Sequence, residues 1–205
     1  MATTFAAASS YQMNRIDIRN RAFKLLLEKS FERGEFKLAS GKMSNYYLDV
    51  KPTMHDPEGS HALAALVLDR LVDTKVDLIG GLAVGAVSLV SNVTLMSYLS
   101  GRPLPSFYVR KEVKDHGTKR LIEGANSIAG KSVVILDDVT TTGESAMIAV
   151  WAAQESGATV TLVLSVVDRL EGAADFYKRQ NIPFAHLFTA DEFLRATEPC
   201  AASGP

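Results

Sequence analysis

Apolar positions along this chain alternate between a helical rhythm and short continuous runs. Arg15 to Glu32 carry Ile18, Ala22, Leu25, Leu26 and Phe31 at helix-like spacing with charges between them, which predicts a first helix stopping at Gly34. Phe36-Lys37-Leu38 and Asn45 to Val50 read as two short strands on either side of the turn Ser40-Gly41-Lys42. Pro57 opens a second helix running through His61, Leu63, Ala64, Leu66 and Val67 to Leu71. Val76-Asp77-Leu78-Ile79 suits a buried strand, followed by the small-residue turn Gly80 to Gly85 and an apolar helix to about Leu99. Ser106 to Val109 and Val133 to Leu136 are further strands, and a helix follows the second from Glu144 to about Glu155, closed by Gly157. Thr159 to Val167 is a β-branched strand ending at Asp168-Arg169. A helix near Gly172–Gln180, a strand at Phe184–Leu187 and a capped turn from Thr189 to Leu194 complete the pattern.

Strands alternating with helices imply an α/β fold, a central, mostly parallel sheet with helices on both faces. Right-handed crossovers align the strand C-termini, where open sheets of this kind bind ligands. Gly80–Gly85, the segment from Arg110, Asp137–Gly143 and Arg169 should therefore meet at one edge.

Composition narrows the function classes. A chain of 205 residues with 47% hydrophobic residues suits one core-forming domain. The net charge of −1 provides no general attraction for nucleic acid or anionic membranes, so any anion must be held by local clusters. The lone Cys200 and the scattered His55, His61, His116 and His186 exclude a disulfide framework and a zinc site, which suits the cytoplasm. No window approaches about 20 uninterrupted apolar residues, and Met1–Tyr11 lacks a basic signal-peptide start. Residues 1–14 and 196–205 are expected to be disordered tails around a single domain at 15–195.

The densest candidate chemistry is Asp137-Asp138-Val139-Thr140-Thr141-Thr142-Gly143. A helix mouth offers unpaired N–H groups and the positive dipole end to a phosphate, and Gly143 permits close backbone approach. Two carboxylates at a strand end can accept hydrogen bonds from a ribose diol. Between Arg110 and Ala125 no period persists, and Arg110, Lys111, Lys114, His116, Lys119 and Arg120 form a cationic run. Such a run fits either a solvated face or a mobile lid over a polyanion. The Tyr46-Tyr47 pair fits either core packing or the wall of a planar ligand site. The fork of Arg169 suits a carboxylate.

These residues resemble a known family. Val133 to Ser145 is similar to the phosphoribosyl diphosphate (PRPP) motif of type I phosphoribosyltransferases. Arg110-Lys111-Glu112-Val113-Lys114-Asp115-His116-Gly117 resembles the R-K-x-x-K-x-H-G loop of orotate phosphoribosyltransferases. Leu38 to Tyr47 is similar to that family's L-x-S-G-x-x-S-x-Y-Y/F opening, and Asp168-Arg169 matches its D-R pair. Ala39 and Gly85 stand where some members carry lysine, which shifts diphosphate binding toward the loop and backbone amides.

The resemblance implies a type I phosphoribosyltransferase fold: a core at about 56–169 under a small hood from about 15–55 and 170–195. It implies transfer of ribose 5-phosphate from PRPP to orotate, in uridine monophosphate biosynthesis, with Mg²⁺ held mainly by substrate and water, in a homodimer whose loops cross between sites. Lys114, Asp137 and Asp138 are the implied catalytic residues. PRPP would be bound by Arg110, Lys111, Lys114, His116 and the run Asp137, Asp138, Val139, Thr140, Thr141, Thr142, Gly143, Glu144 and Ser145. Tyr46, Tyr47, Leu48, Thr141 and Arg169 would bind orotate. Purine or uracil transfer, and a non-catalytic nucleotide sensor on the same fold, are the alternatives. The loop and Arg169 argue against the first, and the lack of a basic stripe outside the loop argues against the second.

Overall fold

The computed structural model describes residues 15–37, 41, 43–111 and 121–198. Lys114, His116, Ala39 and the rest of the cationic loop past Lys111 lie outside the described residues, as do most of both expected tails. Four parallel strands form the central sheet: β3 (Leu78–Gly81), β6 (Ser132–Thr140), β7 (Thr159–Asp168) and β8 (Phe184–Thr189), in that spatial order. The segment around Ser106 and Val109 runs parallel beside β3 through isolated bridges at Ile79↔Ser106 and Leu82↔Val109.

Both faces of β6 are apolar, because successive side chains point to opposite sides and each side is covered. Val134 and Leu136 pack with α1 (Arg15–Lys29), α3 (Pro57–Arg70), α4 (Val87–Leu99) and α7 (Ala190–Ala196). Val133 and Ile135 pack with α5 (Glu144–Glu155) and α6 (Ala173–Arg179). All four β6 side chains are fully buried, and each contributes about 1.5–3 kcal/mol. That burial holds rigid the strand that carries the two acids.

Helix α1 ends at Lys29, short of the expected Glu32, because Phe31 is drawn into tertiary packing. Its ring stacks on Tyr46 and on Phe193, each 5.6 Å away. The residues after the helix form β1 (Phe31–Lys37), which pairs antiparallel with β2 (Met43–Leu48). Gly34 lies at an irregularity in that ladder rather than at a helix stop. The expected strand to Val50 instead gives way to a short helix α2 (Lys51–Met54), which the apolar pattern did not announce. Helix α3 begins at Pro57 as the sequence indicated, with the Asp56 side chain accepting from the N–H groups of Glu58 and Gly59. At the other end, α7 runs through Ala196, and the Thr197 hydroxyl accepts from Arg33 Nε at 2.7 Å, so the ordered chain continues past Arg195.

Candidate active site

Asp137-Asp138-Val139-Thr140 belong to strand β6 itself; the turn begins only at Thr141. The sequence pattern put the two acids at the strand's end and the threonines in the turn, but β7 continues alongside, pairing Thr140 with Asp168. Pairing also sets the position of Arg169, whose N–H donates to the Thr140 carbonyl at 2.9 Å. The acids and Arg169 thus lie on adjacent strand ends by backbone geometry.

The two carboxylates differ in setting. Asp137 is buried and accepts from the Thr140 hydroxyl at 2.7 Å, whereas Asp138 retains partial exposure to a cleft. Burial, opposed by the Thr140 hydrogen bond and reinforced by the negative charge of Asp138, pushes the Asp137 carboxyl up to about 7. The Thr140 hydroxyl is therefore engaged inward, while Thr141 and Thr142 retain exposure in the turn.

That turn ends at Gly143, which caps α5 at φ 92°. A Cβ there would meet Phe176 Cδ1 and Tyr177 Cε2 at 2.9 Å, so only glycine fits. Tyr177 of α6 donates its hydroxyl to the Gly143 carbonyl at 2.9 Å. Burial, with Asp137 and Asp168 nearby, pushes the Tyr177 phenol up, which keeps it a donor at every working pH. The helix mouth is consequently held from below, with the Glu144 and Ser145 side chains exposed.

A cleft of about 810 Å³ opens above these strand ends. One wall is Asp137, Asp138, Val139 and Ser145; another is the Leu82–Gly85 turn. Gly85 faces the acids directly, since a Cβ on it would meet Asp138 Oδ1 at 2.9 Å. Arg110 and Lys111 line a third side. The Arg110 guanidinium pairs with Glu123 Oε1 at 2.9 Å, and Glu123 Oε2 accepts from the Tyr108 hydroxyl at 2.8 Å. Glu123 belongs to β5 (Ile122–Glu123), which pairs antiparallel with β4 (Tyr108–Val109) and had no strand signal of its own. This two-stranded ribbon clamps both ends of the cationic loop at the cleft.

Lys51 also lines the cleft, and sequence reasoning did not single it out. Its ammonium reaches Asp49 Oδ1 at 3.0 Å and Asp138 Oδ2 at 3.8 Å. The hydrogen bond that its ammonium donates to Asp49, then the charge of Asp138, raise its pKa against partial burial. Asp49-x-Lys51 before Pro52 was the available signal, because the Asp49 carboxylate also accepts from the Lys51 N–H at 3.0 Å.

Of the residues expected on the base side, Tyr46 and Arg169 meet in a second pocket of about 650 Å³. The Arg169 guanidinium lies 4.6 Å over the Tyr46 ring, and its Nε donates to Glu171 at 2.9 Å. Tyr46 is buried against Phe31, Tyr47 is 46% exposed, and Leu48 points into the core. The tyrosine pair therefore divides its two roles, one ring packed beneath Arg169 and the other outward.

Comparison with known proteins bears on this arrangement. No protein-family model matches the sequence. The chain is 48% identical over 187 residues to the orotate phosphoribosyltransferase of Bradyrhizobium diazoefficiens, covering 90% of this chain and 100% of that one. Its fold superposes with a TM-score of 0.77 on the Mycobacterium tuberculosis orotate phosphoribosyltransferase in complex with Fe(III) dicitrate, at 31% identity over 86% of this chain and 98% of that one. The same bacterial enzyme in complex with PRPP gives a TM-score of 0.73 at 28% identity, with the same coverage of both chains.

Proposed function

The chain belongs to the orotate phosphoribosyltransferase family, and from that membership we propose how its residues move ribose 5-phosphate from PRPP to N1 of orotate. The products are orotidine 5′-monophosphate and diphosphate, and the reaction is a pentosyl transfer of pyrimidine biosynthesis. The observation that carries the reading is the joining of Asp137, Asp138, Arg110 and Lys111 in one cleft at the C-terminal sheet edge.

Chemically, C1′ gains positive charge as its bond to diphosphate breaks and the orotate nitrogen approaches. Stabilising the leaving polyanion supplies most of the acceleration. Arg110, Lys111, Lys114 and His116 would meet it, the first held ready by Glu123. Asp137 and Asp138 would accept from the ribose hydroxyls, and Thr140 to Ser145 would cradle the 5′-phosphate at the mouth of α5. Among the described residues no cluster of three or more acidic, His or Cys side chains could cage a metal ion. The donor set fits Mg²⁺, which takes most of its oxygens from substrate and water, with Asp138 as the reachable protein carboxylate. When bound, the ion would neutralise part of the diphosphate charge.

On the acceptor side, Arg169 would take the orotate carboxylate, with Tyr46 as the floor and Thr141 and the Tyr47–Leu48 backbone at the ring edges. Arg169→Ala should raise KM for orotate about thirty-fold, the loss of one charge-assisted fork, and leave KM for PRPP within about twofold. A rise in KM for PRPP alone would remove Arg169 from the base side.

A homodimer in the cytoplasm completes the proposal. Leu95, Tyr98 and Leu99 share one exposed face of α4, which supplies apolar surface for pairing. Among the described residues no helix is long and apolar enough to cross a membrane. The activity is tested by following orotate absorbance with PRPP, Mg²⁺ and protein together. Orotate should be consumed and uracil, adenine and hypoxanthine left untouched; consumption of a purine instead would refute the acceptor assignment.

A further inference from the structure

Asp138 is approached from two sides within the cleft, and the two are unlike. On one side Gly85 offers only backbone, its Cα so close that a Cβ would stand 2.9 Å from Asp138 Oδ1. On the other stands the ammonium of Lys51, 3.8 Å from Asp138 Oδ2 and too far for a hydrogen bond. Lys51 is anchored by Asp49, yet its side chain is 52% exposed and lines the same cleft as Arg110 and Lys111. Of these three cations, Arg110 is committed to Glu123 and Lys111 adjoins the loop. Lys51 comes from a separate element, α2, fixed to the core through buried Thr53 and Met54. A lysine is a compact point charge on a flexible stem, so a shift of an ångström or so carries it from an acid it barely touches to an incoming oxygen.

We propose that Lys51 is a diphosphate-binding cation of the PRPP site, standing beside Asp138 on α2, a wall separate from the segment that carries Arg110 and Lys111. The inference rests on the reading of the cleft as a PRPP site. It assigns to α2 a substrate contact of its own. Gly85, having no side chain, leaves Asp138 and the space in front of Lys51 open to the polyanion.

The test uses Lys51→Met and Lys51→Arg in the full chain, with equilibrium binding of Mg²⁺–diphosphate, PRPP and ribose 5-phosphate measured calorimetrically. The backbone N–H that donates to Asp49 survives in both variants. Lys51→Met should weaken diphosphate and PRPP about tenfold each, leave ribose 5-phosphate within about twofold, and be largely rescued in Lys51→Arg. The diphosphate loss should shrink as salt is raised, as an exposed charge contact does. Unchanged diphosphate affinity overturns the assignment, and so does equal weakening of ribose 5-phosphate, which marks a general distortion. A parent chain that binds diphosphate but fails to consume orotate refutes the acceptor reading alone. One that binds no diphosphate refutes both.

Discussion

Lys114→Ala is expected to lower kcat by about two to three orders of magnitude, the usual cost of one preorganised group at a developing charge, while KM for PRPP changes several-fold at most. Lys114 lies outside the described residues, but the frame that delivers it does not. Lys111 stands on the cleft wall, and across the loop the Leu121 carbonyl accepts from the Arg110 N–H at 2.9 Å. Below that bond, Val109 pairs with Ile122 and Tyr108 with Glu123, so both ends are tied at the cleft. If Lys114 meets the leaving diphosphate, in this cleft or in a partner's, its charge matters most as the C1′ bond breaks. In the ground state Arg110 and Lys111 would remain to bind PRPP without it. Steady-state kinetics separate the two effects: an unchanged kcat with a raised KM would show that Lys114 binds substrate without easing its departure.

The second large effect is on stability and runs opposite to activity. The Asp137 carboxyl titrates near 3.8 when exposed and is pushed up to about 7 in the fold, chiefly by burial. Between about pH 4 and 7 the folded chain retains a proton that the unfolded chain releases, so this group costs stability as pH rises through that window and costs no more above it. The full shift corresponds to about 4 kcal/mol, as an order of magnitude. Asp137→Asn keeps an acceptor for the Thr140 hydroxyl and removes the ionisation. It should therefore be more stable than the parent at pH 8 by a few kcal/mol, with the difference vanishing toward pH 4, and should turn over orotate at least tenfold more slowly. Urea unfolding across pH 4 to 8 checks the first part; parallel curves for the two proteins would show that burial of Asp137 is not linked to protonation.

Much of this molecule was legible along the chain. Strands β3, β6 and β7 announced themselves as apolar runs, because a strand buried on both faces has few polar positions to interrupt it, whereas the edge strand β8 is only partly buried. The hydroxyl-rich stretch before Glu144 marked a helix mouth, and the loop residues together with Asp168-Arg169 indicated which base is used. Less legible were the short elements. Nothing periodic marked β5 or α2, since a two-residue ribbon and a single helical turn are too short to show a rhythm. The end of α1 was misjudged by local pattern because Phe31 answers to Tyr46 and Phe193, one nearby and one at the far end of the chain.

Sequence by itself determined the fold class, the donor-phosphate motif and the acceptor it pairs with, because buried strands and functional turns depend on residues adjacent in the chain. Tertiary structure alone decided the division of labour within that motif. It extended β6 through Thr140, turned Asp137 inward to a Thr hydroxyl and left Asp138 facing the cleft. It also brought Lys51 to Asp138 and the ring of Tyr46 beneath Arg169. Burial and charge proximity are sums over neighbours distant in sequence, so two adjacent aspartates with the same chemistry acquire different settings, one buried against a hydroxyl and one facing the cleft, only when the chain has folded around them.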